Sequence, residues 1–102
     1  MTTYCGITFT CKIHTCGDGK KIHQSHRGSI FILDDLYPSQ VTLPEGCSYI
    51  DEFFEGHVEI TSIIKKSDID KFKSNTEIKL YEYPLLIAEG FIVSIDKMVD
   101  VE

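Results

Sequence analysis

The chain has 102 residues, of which 42% are hydrophobic, and its formal net charge is −6. This length and apolar content predict one folded domain, spanning residues 1–102 around one modest core, and exclude a disordered chain. The negative charge argues against a nucleic-acid surface, which needs a concentration of Lys and Arg, and favours docking to a basic partner.

No stretch of the sequence predicts export or insertion into a membrane. All apolar runs are shorter than the roughly 18 residues that span a bilayer. The first residues, MTTYCGITF, lack the basic start and the long apolar run of a signal peptide. We therefore expect a cytoplasmic protein, in which the four cysteines stay reduced rather than forming two disulfides.

The first half of the chain predicts two strands joined by loops. Residues 7–13 alternate apolar with polar side chains, which is the pattern of a half-buried strand. A polar loop with two glycines follows at residues 16–21 and is expected to extend to Arg27. Residues 29–33 form a short apolar run without alternation, which predicts a strand buried on both faces. Residues 37–48 contain two prolines and a glycine, which predict a loop crossing with an extended piece at residues 40–43.

The second half predicts a third strand, a helical turn and a hairpin. Residues 56–64 alternate and predict the strand, whereas residues 50–54 are ambiguous between a turn and a strand. Residues 65–75 predict one or two helical turns with Ser67 as the N-cap. Residues 77–95 predict a hairpin that breaks at Pro84, with Gly90 marking a bulge or a close backbone approach. The acidic end, residues 96–102, is expected to fray.

These elements predict an all-β fold. Five or six short strands with one short helical turn favour a small antiparallel barrel of six strands, either closed or partly open. Closure would remove the exposed strand edges that invite aggregation.

The order of elements and motifs resembles the third domain of elongation factor Tu and the small stand-alone bacterial proteins that share its six-stranded β-barrel. Residues 7–13 are similar to the first strand of that family, and residues 57–64 to its long alternating strand. Leu43-Pro44-Glu45-Gly46 matches the family's Leu-Pro-Glu-Gly segment. The remaining matches are looser: Gly19-Lys20-Lys21 stands in place of Gly-Gly-Arg, Ser25-His26-Arg27-Gly28 in place of Gly-Tyr-Arg-Pro, and residues 88–92 in place of Gly-x-Gly-Val-Val.

The resemblance implies a surface for a partner rather than an active site. In the translation factor this domain helps to hold transfer RNA and packs on the nucleotide-binding domain. The present sequence contains no phosphate-binding loop, so GTP hydrolysis does not carry over. The family's hairpin tip is replaced by Tyr83-Pro84-Leu85, and this departure, together with the negative charge, argues against RNA binding.

Two groups of residues are candidates for binding a partner. One combines acidic side chains with aromatic anchors, which suit the core of an interface. It consists of Tyr49, Asp51, Glu52, Phe53, Phe54 and Glu55. The other is a basic loop that suits an acidic partner or a phosphate, and its histidines would make such a contact sensitive to pH. It consists of Lys20, Lys21, His23, His26 and Arg27.

No group of residues has the spacing of a standard metal or catalytic site. Cysteines and histidines cluster near the N-terminus, but Cys11 and His14 point to opposite faces of the predicted strand. A nucleophilic pair such as Cys16 with His23 or His57 lacks a surrounding motif. We therefore expect no metal ligands, no cofactor and no catalytic residues.

The function predicted from the sequence is a non-catalytic protein-interaction module on a translation-factor-like barrel. The alternative is an acidic immunity or antitoxin-type protein that binds and neutralises a basic toxin through charge complementarity. A third possibility is weak RNA binding through the basic loop.

Overall fold

The structure is a computed structural model that describes residues 3–16, 22–50, 54–82 and 85–101. The strands are β1 Tyr4–Thr15, β2 Ile22–His23, β3 His26–Ile32, β4 Asp35–Thr42, β5 Tyr49–Ile50, β6 Glu55–Lys65, β7 Glu77–Glu82 and β8 Leu85–Val101, and a 3-10 helix covers Lys66–Lys71. Strands β1, β6, β4, β3, β7 and β8 close in that order into an antiparallel barrel, and β2 pairs with β5 as a separate ribbon. The prediction of an all-β, six-stranded barrel with one short helical turn is confirmed.

Alternation in β1 and β6 builds one wall of the core. Every second side chain of β1 from Cys5 to Ile13 is buried, and so is every second side chain of β6 from Val58 to Ile64. Both strands are longer than predicted because their ladder continues past the alternating residues in both directions, from Tyr4 opposite Lys65 to His14 opposite Glu55.

Phe72 closes one end of the barrel directly after the 3-10 helix. Its ring centroid lies 5.6 Å from that of Phe9 and 5.1 Å from that of Tyr37, in edge-to-face contacts. The predicted N-cap at Ser67 is wrong, because Lys65 holds the N-cap position without a side-chain hydrogen bond and Ser67 lies inside the helix. We call this end of the barrel the helix end, and the opposite end, which carries the β2–β5 ribbon, the ribbon end. Among the described residues, no helix combines the length and the apolar character that crossing a membrane requires.

Two predictions for residues 26–42 are wrong. Strand β3 is not buried on both faces, because Ile30 and Ile32 are buried whereas Phe31 between them is partly exposed. The predicted loop crossing is wrong up to Thr42, because residues 35–42 form strand β4, which directs every second side chain into the core; the extended piece predicted at residues 40–43 is the end of this strand, and residues 43–48 are not in a strand. The ladder between β4 and β6 covers only Gln40–Thr42, so β6 needs no backbone amide donor from residue 38. Pro38 is therefore tolerated in β4.

The predicted loop up to Arg27 is shorter than expected. Strand β2 pairs with β5, and Arg27 already lies in β3, so the turn between them consists of Gln24 and Ser25. Ser25 makes this turn with a φ of 62°. The ambiguous segment at residues 50–54 begins in a strand, because Ile50 belongs to β5. Residues 17–21 and 51–53 lie outside the described residues.

Strand β8 continues to the end of the chain that the structure describes. Val101 lies opposite Tyr4 of β1, so the expectation that residues 96–101 fray is wrong. Two shifts in the β1–β8 register leave Val93 and Asp96 as extra residues in β8. Such bulges bend a strand and increase its twist, which lets β8 follow the curve of the barrel.

Gly90 marks a close backbone approach, which is one of the two alternatives that the sequence predicted. It lies opposite Ile13 of β1 and Ile78 of β7. A Cβ added at Gly90 would lie 2.8 Å from the Cα of Ile13 and 2.9 Å from the carbonyl carbon of Lys12. The predicted hairpin of β7 and β8 is confirmed, while residues 83–84 at its tip lie outside the described residues.

Candidate protein-binding site

The ribbon end joins the two candidate surfaces that the sequence treated separately. His23 of β2 lies opposite Tyr49 of β5, and their ring centroids are 6.1 Å apart. The ribbon is anchored to the core by Ile22 and Ile50, which are both buried. The side chains of His23 and Tyr49 are exposed beside one another, so a partner at this end would meet a residue of each group.

Gln24 fixes the ribbon to the end of β4. The side-chain Oε1 of Gln24 accepts a hydrogen bond of 2.7 Å from the backbone amide of Leu43, and the backbone amide of Gln24 donates to the carbonyl of Ser48 over 3.2 Å. These bonds connect the β2–β3 turn to the segment before β5. These hydrogen bonds therefore hold the β2–β5 ribbon in a fixed position on the barrel.

The structure does not bring the described residues of the basic loop onto one face. His26 is largely buried at the start of β3, with its Nε2 3.9 Å from a carboxylate oxygen of Glu82. Arg27 follows it in the strand and points outwards, opposite Gln40 of β4. His23 lies on the ribbon, and Lys20 and Lys21 lie outside the described residues. The sequence missed this separation because neighbouring residues of a strand alternate between its two faces.

The acidic and aromatic segment has a structural part and an exposed part. The ring of Phe54 packs against the core, and its backbone amide donates a hydrogen bond of 3.1 Å to the hydroxyl of Thr15. Phe54 therefore helps to hold β6 against β1. Tyr49 is 45% exposed, and Glu55 is exposed as well. Asp51, Glu52 and Phe53 lie outside the described residues.

Glu55 begins a row of charged side chains that crosses four strands of the barrel. The ladders place His14 of β1 directly between Glu55 of β6 and Glu89 of β8, and they place Lys79 of β7 beside Glu89. Neighbouring strands are about 4.8 Å apart, so the α-carbons of Glu55 and Glu89 lie roughly 10 Å apart.

A second row lies beside the first and completes a groove. Phe91 of β8, which is 38% exposed, lies between Lys12 of β1 and Glu77 of β7. The groove has a volume of about 410 Å³, with the close approach of Gly90 to β1 as part of its lining. We call it the acidic groove; its side chains are Lys12, Ile13, His14, Glu55, Glu77, Ile78, Lys79, Glu89 and Phe91.

Sequence reasoning found only Glu55 of this groove. The other residues come from β1 and from the β7–β8 hairpin, which lie far apart in the chain, and they meet because of the barrel's register. The alternation in residues 7–13 gave a partial signal, since it assigns Lys12 to the outer face of β1. It did not reveal which strands flank β1.

The thiol of Cys11 is buried, and its pKa is raised. Burial, and to a lesser degree the negative charge of Asp96, raises the pKa of Cys11 to about 12. The carboxylate of Asp96 is held in place by hydrogen bonds from the hydroxyls of Thr10, over 2.6 Å, and Ser94, over 2.8 Å. A thiol with such a pKa stays protonated at neutral pH and is a poor nucleophile and metal ligand.

The remaining cysteines contribute to packing and to the ribbon. Cys5 is buried in the core, and Cys16 and Cys47 are half-buried. The Sγ of Cys47 donates to the carbonyl of Tyr49 over 3.1 Å, which tightens the turn before β5. In the part of the chain that the structure describes, no three His, Cys, Asp or Glu side chains are arranged to hold a metal ion.

No protein-family model matches the sequence, and no curated protein matches it. The resemblance to the third domain of elongation factor Tu stays a prediction. The function therefore has to be inferred from the surface of the barrel itself.

Proposed function

We propose that the barrel is a non-catalytic protein-interaction module that binds its partner through the ribbon end and the acidic groove. One observation carries the proposal: glutamates from three strands, Glu55, Glu77 and Glu89, converge with the exposed ring of Phe91 on one groove. The groove opens near the ribbon end, where Tyr49 adds a second exposed ring. Aromatic anchors surrounded by a polar rim are typical of protein interfaces.

The groove holds three glutamates and two lysines, Lys12 and Lys79, so its remaining negative charge favours a partner that presents Arg or Lys. A cationic side chain placed over His14 would contact the carboxylates of both Glu55 and Glu89, and the face of Phe91 offers a further site for a cation. The strands fix the backbone positions of these glutamates before binding, which reduces the entropy that association costs.

The alternative in this proposal is an immunity or antitoxin-type protein whose basic partner is a toxin. The net charge of −6 and the three glutamates of the groove favour it. Complementary charge would speed the encounter with a basic protein, and such steering weakens as salt is added. Binding in either form is therefore expected to be sensitive to ionic strength.

Affinity capture from the lysate of the native host tests the proposal. The tagged chain is compared with the double variant Glu55→Lys/Glu89→Lys at low and at high salt, and bound proteins and RNA are identified. The control, Glu59→Lys/Asp70→Lys, makes the same change of net charge at two exposed residues outside the groove. Melting temperatures of all three proteins check that they are folded.

We expect a basic protein that the chain and the control retain at low salt, that high salt releases, and that the groove variant does not bind. Equal retention by the groove variant would refute the proposal. Salt-sensitive retention of RNA instead of protein would replace it with the nucleic-acid alternative.

A further inference from the structure

A second exposed surface lies on the outside of the barrel nearer the helix end, and it is apolar. The ladders place Gly6 of β1 directly between Ile63 of β6 and Val99 of β8. Ile63 is 51% exposed and Val99 is 50% exposed, and the glycine between them leaves the backbone open to approach. Tyr4 and Leu36, which are 43% and 49% exposed, extend the surface towards the helix end. We call these residues, together with Pro38, the apolar face.

The apolar face is divided by a gap between β4 and β6. The ladder between the two strands ends at Gln40, and beyond it the hydroxyl of Ser62 donates a hydrogen bond of 2.5 Å to the carbonyl of Pro38. Two grooves border this gap, with volumes of about 370 Å³ and about 210 Å³. Ile63 lines both grooves.

The larger groove contains a polar group that lacks a partner. Ser39 is 6% exposed, and its hydroxyl makes no hydrogen bond to any of the described residues. Leaving a buried hydroxyl unpaired is destabilising, so such groups are normally satisfied. The side chain of Ser39 lies on the inward-facing side of β4, like those of Tyr37 and Val41, so this hydroxyl offers no contact to a ligand on the outer surface.

The border of the apolar face is cationic, although the chain as a whole is acidic. Arg27 lines the larger groove, Lys65 lines the smaller one, and Lys97 lies next to Thr8 in the strand beside β1. None of these three cations forms an ion pair with a carboxylate of the described residues.

The carboxylates near the smaller groove are already engaged. Asp35 and Asp68 line it, and both form ion pairs with Lys71. Asp100 at the end of β8 is paired with Lys66 over 3.0 Å. The cations that remain available at this face therefore favour an anionic partner.

We infer that the apolar face binds an extended, acidic segment of a partner protein. Its carboxylates would pair with Arg27 and Lys65, and an apolar side chain would lie against Ile63 between the two grooves. This inference goes beyond the proposed function, because it requires neither the ribbon end nor the acidic groove.

Two observations argue against a second copy of this chain as the occupant. A two-fold contact through the apolar face would place its cationic border against the cationic border of the second copy, which is unfavourable. The neighbouring part of β8 is also a poor edge for pairing, since bulges at Val93 and Asp96 and the charge of Lys97 discourage added strands.

Selection from a phage-displayed library of random dodecapeptides on the full chain tests the inference. Enriched peptides are synthesised with a fluorophore, and their Kd is measured by anisotropy. The test variants are Ile63→Lys and Arg27→Glu. The control Leu85→Lys places the same lysine at an exposed leucine, 47% accessible, at the ribbon end. Circular dichroism and size-exclusion chromatography verify the fold and the oligomeric state of each variant.

We expect enriched peptides that combine Asp or Glu with a large apolar residue. Their Kd should rise at least tenfold in Ile63→Lys and in Arg27→Glu, and stay unchanged in Leu85→Lys and in Glu55→Lys/Glu89→Lys. Peptides without acidic residues, no enrichment over the Ile63→Lys surface, or equal binding by Ile63→Lys would each overturn the inference. A dimer that Ile63→Lys dissociates would assign the face to a second copy and would overturn it too. Loss of binding in Glu55→Lys/Glu89→Lys alone would show that the peptides use the acidic groove instead.

Discussion

Replacing Gly90 with alanine should destabilise the barrel far more than a glycine substitution normally does. The new Cβ would lie 2.8 Å from the Cα of Ile13 and would overlap with the carbonyl oxygen of Lys12. Non-bonded carbon atoms attract one another at separations of about 3.5 Å or more, so β8 would have to move away from β1 by roughly 0.7 Å or more. Both obstacles are backbone atoms of a central strand that is paired on its other side with β6, so they cannot rotate away.

The expected loss of stability is the sum of two contributions, overpacking and weakened hydrogen bonds between the strands. Overpacking of this kind costs about 1–3 kcal/mol, and each weakened ladder hydrogen bond adds about 1 kcal/mol. We therefore expect Gly90→Ala to lower the free energy of unfolding by about 2–5 kcal/mol, a large share of the roughly 5–15 kcal/mol of a typical domain. Urea denaturation monitored by circular dichroism measures the change.

Gly46→Ala is the matched control for Gly90→Ala. Gly46 has a φ of +83°, and an added Cβ would meet no atom within 4 Å. Its substitution should cost only the strain of a left-handed alanine, about 1 kcal/mol. A loss of stability in Gly90→Ala no larger than that in Gly46→Ala would refute the close approach of β8 to β1.

Three further predictions concern buried side chains. Because the folded pKa of Cys11 is raised to about 12 from an ordinary value of 9.0, the thiol stays protonated in the folded chain while it ionises in the unfolded one. The contribution of this protonated thiol to the free energy of unfolding should be complete below pH 9 and fall between pH 9 and 12, by about 1.4 kcal/mol at pH 10. Urea denaturation should therefore show a steeper loss of stability at alkaline pH for the native chain than for Cys11→Val. Ser39→Ala should raise the free energy of unfolding by about 1 kcal/mol, because it removes an unpaired buried hydroxyl; a decrease would mean that the hydroxyl has a partner. Phe72→Ala should lower the free energy of unfolding by about 3–5 kcal/mol, because it leaves a cavity against Phe9 and Tyr37; a loss below 1 kcal/mol would contradict its role in closing the helix end.

Local patterns were sufficient to predict the strands that alternate. Residues 7–13 and 56–64 were recognised because each pairs an inward apolar side chain with an outward polar one, and the structure keeps that assignment of faces. The first part of strand β4, up to Ser39, was missed because Pro38 argues against a central strand. The proline fits only because β4 separates from β6 at that point, which is a property of the barrel and not of the local sequence.

The C-terminal part of β8 was also predicted incorrectly from the local sequence. Residues 96–102 are acidic, and acidic ends commonly fray, but residues 96–101 of β8 are held by pairing with β1 near the N-terminus. A contact between the two ends of a chain leaves no signature in either end alone. The bulges at Val93 and Asp96, which make the pairing possible, are equally invisible in the sequence.

The candidate site could be predicted in part. Glu55 and Tyr49 were found from their types, and both are exposed. Glu89 and Phe91 were overlooked as binding residues, because in the sequence they read only as parts of the last hairpin. The positions of Glu89 beside His14 and of Phe91 beside Lys12 depend on the closure of β8 onto β1, which brings residues more than 70 positions apart in the chain next to one another.

The most direct test of the central claim is to map the contact surface of the partner by nuclear magnetic resonance. The captured partner is titrated into the ¹⁵N-labelled chain, and the amide shifts are followed residue by residue. The proposal predicts that the largest changes occur at His14, Glu55, Glu89 and Phe91. Largest changes at Ile63 and Arg27, with the acidic groove unaffected, would contradict it and would assign the partner to the apolar face.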